Sequence, residues 1–134
     1  MFKYYIFFII ISILHELGHF IALKFFKVKV DRIVIGNVIY KKIKKIRLSP
    51  IVLTCYIDFS SKGYEKLNLF AKLIIIISGP LMNFIIFILL PKEQVVYKFI
   101  TLLVGVSSLM PVPFFNTDGM NAIKEILKYK KVKV

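Results

Sequence analysis

The sequence has a single cysteine, Cys55, so no internal disulfide can form and a secreted disulfide-stapled scaffold is excluded. Acidic residues are also scarce. Only 7 Asp and Glu stand against 20 Lys and Arg, giving a net charge of +13 at pH 7. Tryptophan is absent and there are only 2 histidines. No Gly/Ser-rich linker, low-complexity tract or internal repeat is visible, so the 134 residues are read as one domain, 1–134. Polar sequence is in short supply overall. With 58% hydrophobic and 20% charged residues, the chain is more apolar and less charged than an ordinary soluble domain.

What the sequence does have is three apolar runs. Residues 4–26 are interrupted only by His15, Glu16, His19 and Lys24; residues 69–90 by Lys72, Ser78 and Asn83; residues 95–115 by Lys98, Thr101, Ser107 and Ser108. Each reaches the length of about 20 residues needed to cross a bilayer. The first run lacks the small-residue cleavage site of a signal peptide and continues too far for one, so it is read as a retained span. All of the 20 basic residues except Lys3, Lys92 and Lys98 fall between the first two spans, at the borders of that segment, or after the third. The positive-inside rule then predicts a multi-pass integral membrane protein with its N-terminus outside and its C-terminus cytoplasmic. The lysine- and isoleucine-rich composition points to a bacterial cell membrane. This distribution accounts for the charge without nucleic acid; the expected partner is the lipid bilayer, and homo-oligomer formation is left open.

Residues 31–60 are rich in Val, Ile, Tyr and Thr, with Gly36-Asn37 and Ser49-Pro50 as turns, which predicts two or three short strands. The expected fold class is therefore a mainly α membrane protein, a three-helix transmembrane core with a small membrane-surface β-sheet between the first and second spans. Residues 121–134 carry Ile123, Ile126 and Leu127 at helical spacing among lysines, and read equally as a basic amphipathic helix or a solvated basic tail.

Of the acidic residues, only Glu16 lies within an apolar span, and both histidines flank it. Ionisable groups at such depth are costly and usually functional. His15-Glu16-Leu17-Gly18-His19 is an H-E-x-x-H pattern. On a helix, residues four apart share a face about 6 Å apart along the axis, so both imidazoles can reach one metal while Glu16 serves as a general base. A catalytic zinc usually takes three protein ligands. With no third histidine, a carboxylate is expected. Asp118 is favoured because the topology brings it to the same membrane face as His19; Asp58 and Asp31 are weaker candidates.

At this point the sequence resembles the site-2 protease family of intramembrane zinc metalloproteases. Three blocks carry the likeness: His15-Glu16-Leu17-Gly18-His19; Ser78-Gly79-Pro80-Leu81-Met82-Asn83, similar to the family's G-P-x-x-N; and Leu109-Met110-Pro111-Val112-Pro113 followed by Thr117-Asp118-Gly119, similar to its N-L-x-P…D-G. Ser108 stands where the family usually has Asn, and the stretch from Pro113 to Asp118 is longer than the commonest form. The compactness is similar to small bacterial members, including the sporulation-type branch. The resemblance implies that His15, His19 and Asp118 hold Zn2+, that Glu16 activates water, and that Asn83 assists catalysis by holding the substrate backbone. It further implies regulated proteolysis of a membrane-protein substrate near its transmembrane segment, presented to the edge of the surface sheet. Gly79-Pro80 is expected to break or kink the second span. The alternative is an inactive zinc-binding membrane protein that holds such a partner without cleaving it.

Overall fold

A computed structural model describes residues 1–36, 41–43, 45–48, 55–112 and 116–133. The first apolar run forms helix α1 (Phe2–Phe25). It ends without a glycine. Lys27 adopts a left-handed conformation with φ 58°, and the Val28 N–H donates to the Leu23 carbonyl at 2.9 Å. This is the Schellman closure that glycine usually provides.

The chain then enters a four-stranded sheet, β1 (Val30–Ile35), β2 (Lys41–Ile43), β3 (Ile46–Leu48) and β4 (Cys55–Phe59), in the order β2-β3-β1-β4. β2 and β3 pair antiparallel, β1 and β3 parallel, and β1 and β4 antiparallel. The expected strand between 38 and 48 is thus two short strands. Lys45 forms a turn between them. Asn37, Ser49-Pro50 and 51–54 lie outside the described residues. Arg32 and Asp58 face each other across β1 and β4 and form an ion pair.

After the short α2 (Ser61–Glu65), the second run forms α3 (Leu69–Leu89). Asn68 caps it, its side-chain oxygen accepting the Ala71 N–H at 2.8 Å. Pro80 lies inside α3 and the helix is continuous across it, so of the break or kink expected at Gly79-Pro80 a break does not occur. The third run is helical only over α4 (Val95–Leu109). Pro111 forces its predecessor Met110 into an extended conformation with ψ 125° and stops the helix there. At 15 residues α4 is shorter than the expected span of 95–115; at the helical rise it reaches only about 22 Å. Residues 113–115 lie outside the described residues. The C-terminal segment is a helix rather than a tail, α5 (Asp118–Lys133).

α3 is the centre of the packing and touches α1, α4 and α5. Where α1 ends, Ala22, Leu23, Val28, Val30 and Ile75 form a buried cluster, with Phe59 and Tyr64 packed against it. This cluster fixes the sheet to the helices and holds β4 alongside α1. The outward faces are apolar: Ile6, Ile10, Ile13, Leu17 and Ile21 on α1 and Ile77, Leu81, Ile85 and Ile88 on α3 are all exposed. Two helices, α1 and α3, are long and apolar enough to cross a membrane.

A left-handed conformation costs a side-chain-bearing residue about 1–2 kcal/mol, a cost glycine avoids. Lys27→Gly is therefore expected to raise the thermal midpoint of the detergent-solubilised protein by an amount worth about 1 kcal/mol, read by loss of helicity on heating.

Candidate metal centre

The fourth and fifth turns of α1 place His15 and His19 one above the other on the face turned to α3. Two glycines allow that contact. A Cβ on Gly18 would strike the Ser78 carbonyl, and a Cβ on Gly79 would strike His19 Nε2 and come within 2.7 Å of His15 Nε2. Gly79 is thus the clearance in which both imidazoles sit. A third glycine, Gly119, brings the start of α5 against the backbone of Leu109 at the end of α4. That close approach delivers Asp118.

Among the described residues, His15, His19 and Asp118 form one group able to hold a metal ion, with ligand atoms within 4.8 Å of one another. His15 Nε2 lies 3.1 Å from Asp118 Oδ2, His19 Nε2 lies 3.4 Å from Asp118 Oδ1, and the two Nε2 atoms are 3.3 Å apart. Ligands at about 2.0–2.1 Å from a tetrahedral zinc stand about 3.3–3.4 Å from one another. The three groups therefore have the spacing and donor chemistry of a two-histidine, one-carboxylate site. His19 Nδ1–H donates to the Ile75 carbonyl at 2.8 Å, which leaves Nε2 as the free lone pair. Burial would raise the Asp118 carboxyl, but the His15 and His19 rings facing it outweigh that and hold the group down to about 2. It is a carboxylate at neutral pH, as a ligand must be.

The other candidates are engaged elsewhere. Asp58 pairs with Arg32, and Asp31 is exposed on β1. Burial, with the nearby Glu16 carboxylate, pushes the Cys55 thiol up to about 11, so it is a neutral thiol rather than a ready thiolate. Ser108 donates to the Gly105 carbonyl of its own helix at 2.9 Å.

Glu16 lies beside the histidines and, with His19 and Asp118, lines a cleft of about 400 Å³ whose wall includes Cys55, Tyr56 and Ile57 of β4. β4 is an edge strand of the sheet. Asn83 has another place. It is 1% exposed, does not line the cleft, and lies 3.1 Å from His15 Nδ1 through its side-chain amide.

Sequence reasoning missed the groups that hold α5 in position. Lys72, noted there only as a polar interruption, is buried on α3. Its ammonium donates to Glu125 at 3.1 Å and Glu65 at 3.4 Å and lies 5.2 Å from the centre of the Tyr64 ring. Lys128 of α5 donates to Glu65 at 2.8 Å. These pairs tie α5, and Asp118 at its start, to α2 and α3. The signal available was a lone lysine on the fourth residue of an apolar run, a charge that needs a partner when buried.

Residues 3–92 match the model of Peptidase family M50, a stretch that includes both histidines, Glu16 and Asn83 and stops before Asp118. A protein of Borreliella burgdorferi named "Putative zinc metalloprotease" is 34% identical over 116 residues, covering 65% of this chain and 26% of that protein. The chain thus spans about a quarter of the length of the curated relative it matches.

Two outcomes follow from the geometry. Gly79→Ala drives a methyl group into both imidazoles and is expected to cost about 1–3 kcal/mol of stability by overpacking, read as a lowered thermal midpoint, with the histidines pushed off Asp118. The second concerns pH. Hydrogen bonds from Lys128 and Lys72 hold Glu65 below its ordinary 4.5, and Glu65 holds Lys128 above its ordinary 10.5. A depressed carboxyl contributes above its unfolded value and loses that contribution as pH falls through the folded one; a raised ammonium loses its contribution as pH rises through its folded value. Limited proteolysis of α5 is expected to accelerate as pH falls below 4.5 and again above 10.5, with a smaller acid response in Glu65→Gln.

Proposed function

The chain belongs to peptidase family M50, the site-2 protease family, and from that premise we propose that it is an intramembrane zinc metalloprotease that hydrolyses a peptide bond in or near a transmembrane segment of a membrane-protein substrate. The observation that carries the reading is the meeting of His15, His19 and Asp118 from two distant parts of the chain, with Glu16 beside them at the cleft. A binding site alone has no use for a half-buried carboxylate adjacent to its ligands.

In this reading His15, His19 and Asp118 hold the ion. Zinc, when bound, supplies a Lewis acid that acidifies water and polarises a carbonyl. Glu16 takes a proton from the attacking water at its carboxylate and later delivers it to the leaving amine, as a general base and then acid. The substrate enters as an extended segment and pairs with the edge of β4, whose residues wall the cleft. Pairing of this kind favours an unwound backbone, so a helical segment would present its peptide bond only where it has opened.

The membrane arrangement belongs to the same proposal. α1 and α3 cross the bilayer, and the apolar stretch containing α4 completes a three-helix core. The sheet and α5 lie at the cytoplasmic face, where the lysines are concentrated. The exposed apolar side chains along α1 and α3 support this placement, since a soluble monomer rarely leaves so continuous an apolar surface in water. Lipid then solvates those faces, and the polar groups of the site are sheltered between helices. Residues 1–134 act as a single peptidase domain.

Zinc content of the detergent-purified protein tests this. About one zinc per chain is expected, lost or weakened in His19→Ala and in Asp118→Ala. Glu16→Gln is expected to keep its zinc and to slow hydrolysis of single-span membrane substrates by roughly 10²–10⁴-fold. Zinc retained in full by Asp118→Ala would remove the third ligand, and an undiminished rate in Glu16→Gln would remove the base.

A further inference from the structure

We infer that Asn83 is the positioning residue of His15: its side-chain oxygen accepts a hydrogen bond from His15 Nδ1–H and so turns the Nε2 lone pair toward His19 and Asp118. The inference rests on the metal-centre reading above and assigns Asn83 a role other than contact with substrate.

Four observations converge on it. The first is the partner. The Asn83 amide lies 3.1 Å from His15 Nδ1, and Asn83 Oδ1 is the one buried side-chain polar atom among the described residues without a hydrogen-bond partner when Nδ2 faces the ring. A terminal amide is assigned by its hydrogen bonds, because turning it over exchanges oxygen and nitrogen. With the oxygen on His15 Nδ1–H, that acceptor is paired and the His15 proton sits on Nδ1, away from Nε2.

The second is the parallel with His19, whose Nδ1–H donates to the Ile75 carbonyl at 2.8 Å. Ile75, Gly79 and Asn83 are successive members of an i, i+4, i+8 row on α3. One end of the row supplies an acceptor to His19, its middle supplies clearance, and its other end reaches His15. If His15 used Nδ1 as an acceptor, its proton would sit on Nε2, where a metal ligand must be bare.

The third is rigidity. Gly105 of α4 packs on Asn83: a Cβ there would lie 3.2 Å from Asn83 Cβ and 3.6 Å from Nδ2. α4 therefore clamps the side chain from behind. The fourth is access. At 1% exposure and away from the residues that line the cleft, Asn83 is not placed to hold a substrate backbone.

The test compares the full-length wild type with Asn83→Asp, which keeps an acceptor, and Asn83→Leu, which has none. The chain has only 2 histidines, so nitrogen NMR of ¹⁵N-histidine-labelled protein resolves both rings, with His15→Ala to assign them. His15 Nδ1 is expected to carry a proton in the wild type, with and without zinc. Zinc added alone is expected to bind Asn83→Leu about 10–100-fold more weakly than wild type, with Asn83→Asp restoring most of the loss. A bare His15 Nδ1 in the wild type, or wild-type zinc affinity in a folded Asn83→Leu, would overturn the inference. If Asn83→Leu does not fold, as judged by helicity, the wild-type spectrum and Asn83→Asp decide. A wild type that binds no zinc but keeps the Nδ1 proton would sink the metalloprotease reading and leave the Asn83–His15 bond standing.

Discussion

Everything in this protein depends on how closely α1 approaches α3. At Gly18 and Gly79 the two helices are near enough that a single methyl group on either would collide with its neighbour. Packing of this kind, with small residues at the contact, is how helices associate where water supplies little hydrophobic drive. Here it also has a chemical consequence. The space a side chain at position 79 would fill is taken by two imidazoles, so the packing of the helices and the seating of the histidines are one interaction.

The second constraint is the presence of polar groups in an apolar interior. Each is satisfied by a different device. His19 uses a main-chain carbonyl of α3, Asp118 faces both rings, and Lys72 stands between Glu65 and Glu125. Breaking a buried charge pair from one side typically costs several kcal/mol, so the Lys72 network holds α5 with more force than its few contacts would suggest. Because Asp118 opens α5, the same network sets the position of a group at the site more than a helical turn away. An acidic residue in the first turn also faces the positive end of the helix dipole, which favours its charged form.

The sheet contributes position rather than chemistry. The cluster around Leu23 and Val28 locks β1 to the end of α1, and the antiparallel pairing of β1 with β4 then leaves β4 on the edge, along the cleft that contains Glu16. In the proposed reaction, a chain laid along that edge would pass Glu16, His19 and Asp118. Shape and chemistry thus meet at one opening, which is what membership of a peptidase family leads one to expect of the fold.

Two kinds of information were divided between sequence and structure. The H-E-x-x-H pattern, the apolar runs, the excess of lysine and the three blocks shared with a family are local or compositional, so they can be read from residues in order. His15 and His19 share a face because any helix puts residues four apart together. For the residue that joins them from a distance, the order of the spans favoured Asp118 over Asp58 and Asp31; the packing brings Asp118 against both rings, since Gly119 lets α5 dock on α4, while Arg32 pairs with Asp58. The length of α4 and the continuity of α3 through Pro80 were also tertiary outcomes. Pro111 ends α4 by holding Met110 extended, whereas Pro80 is buried in a helix with neighbours on three sides. The placement of Asn83 shows the division most clearly. A polar residue in an apolar run announces a role, but only the register of α3 against α1 decides that it faces a histidine ring and not the cleft.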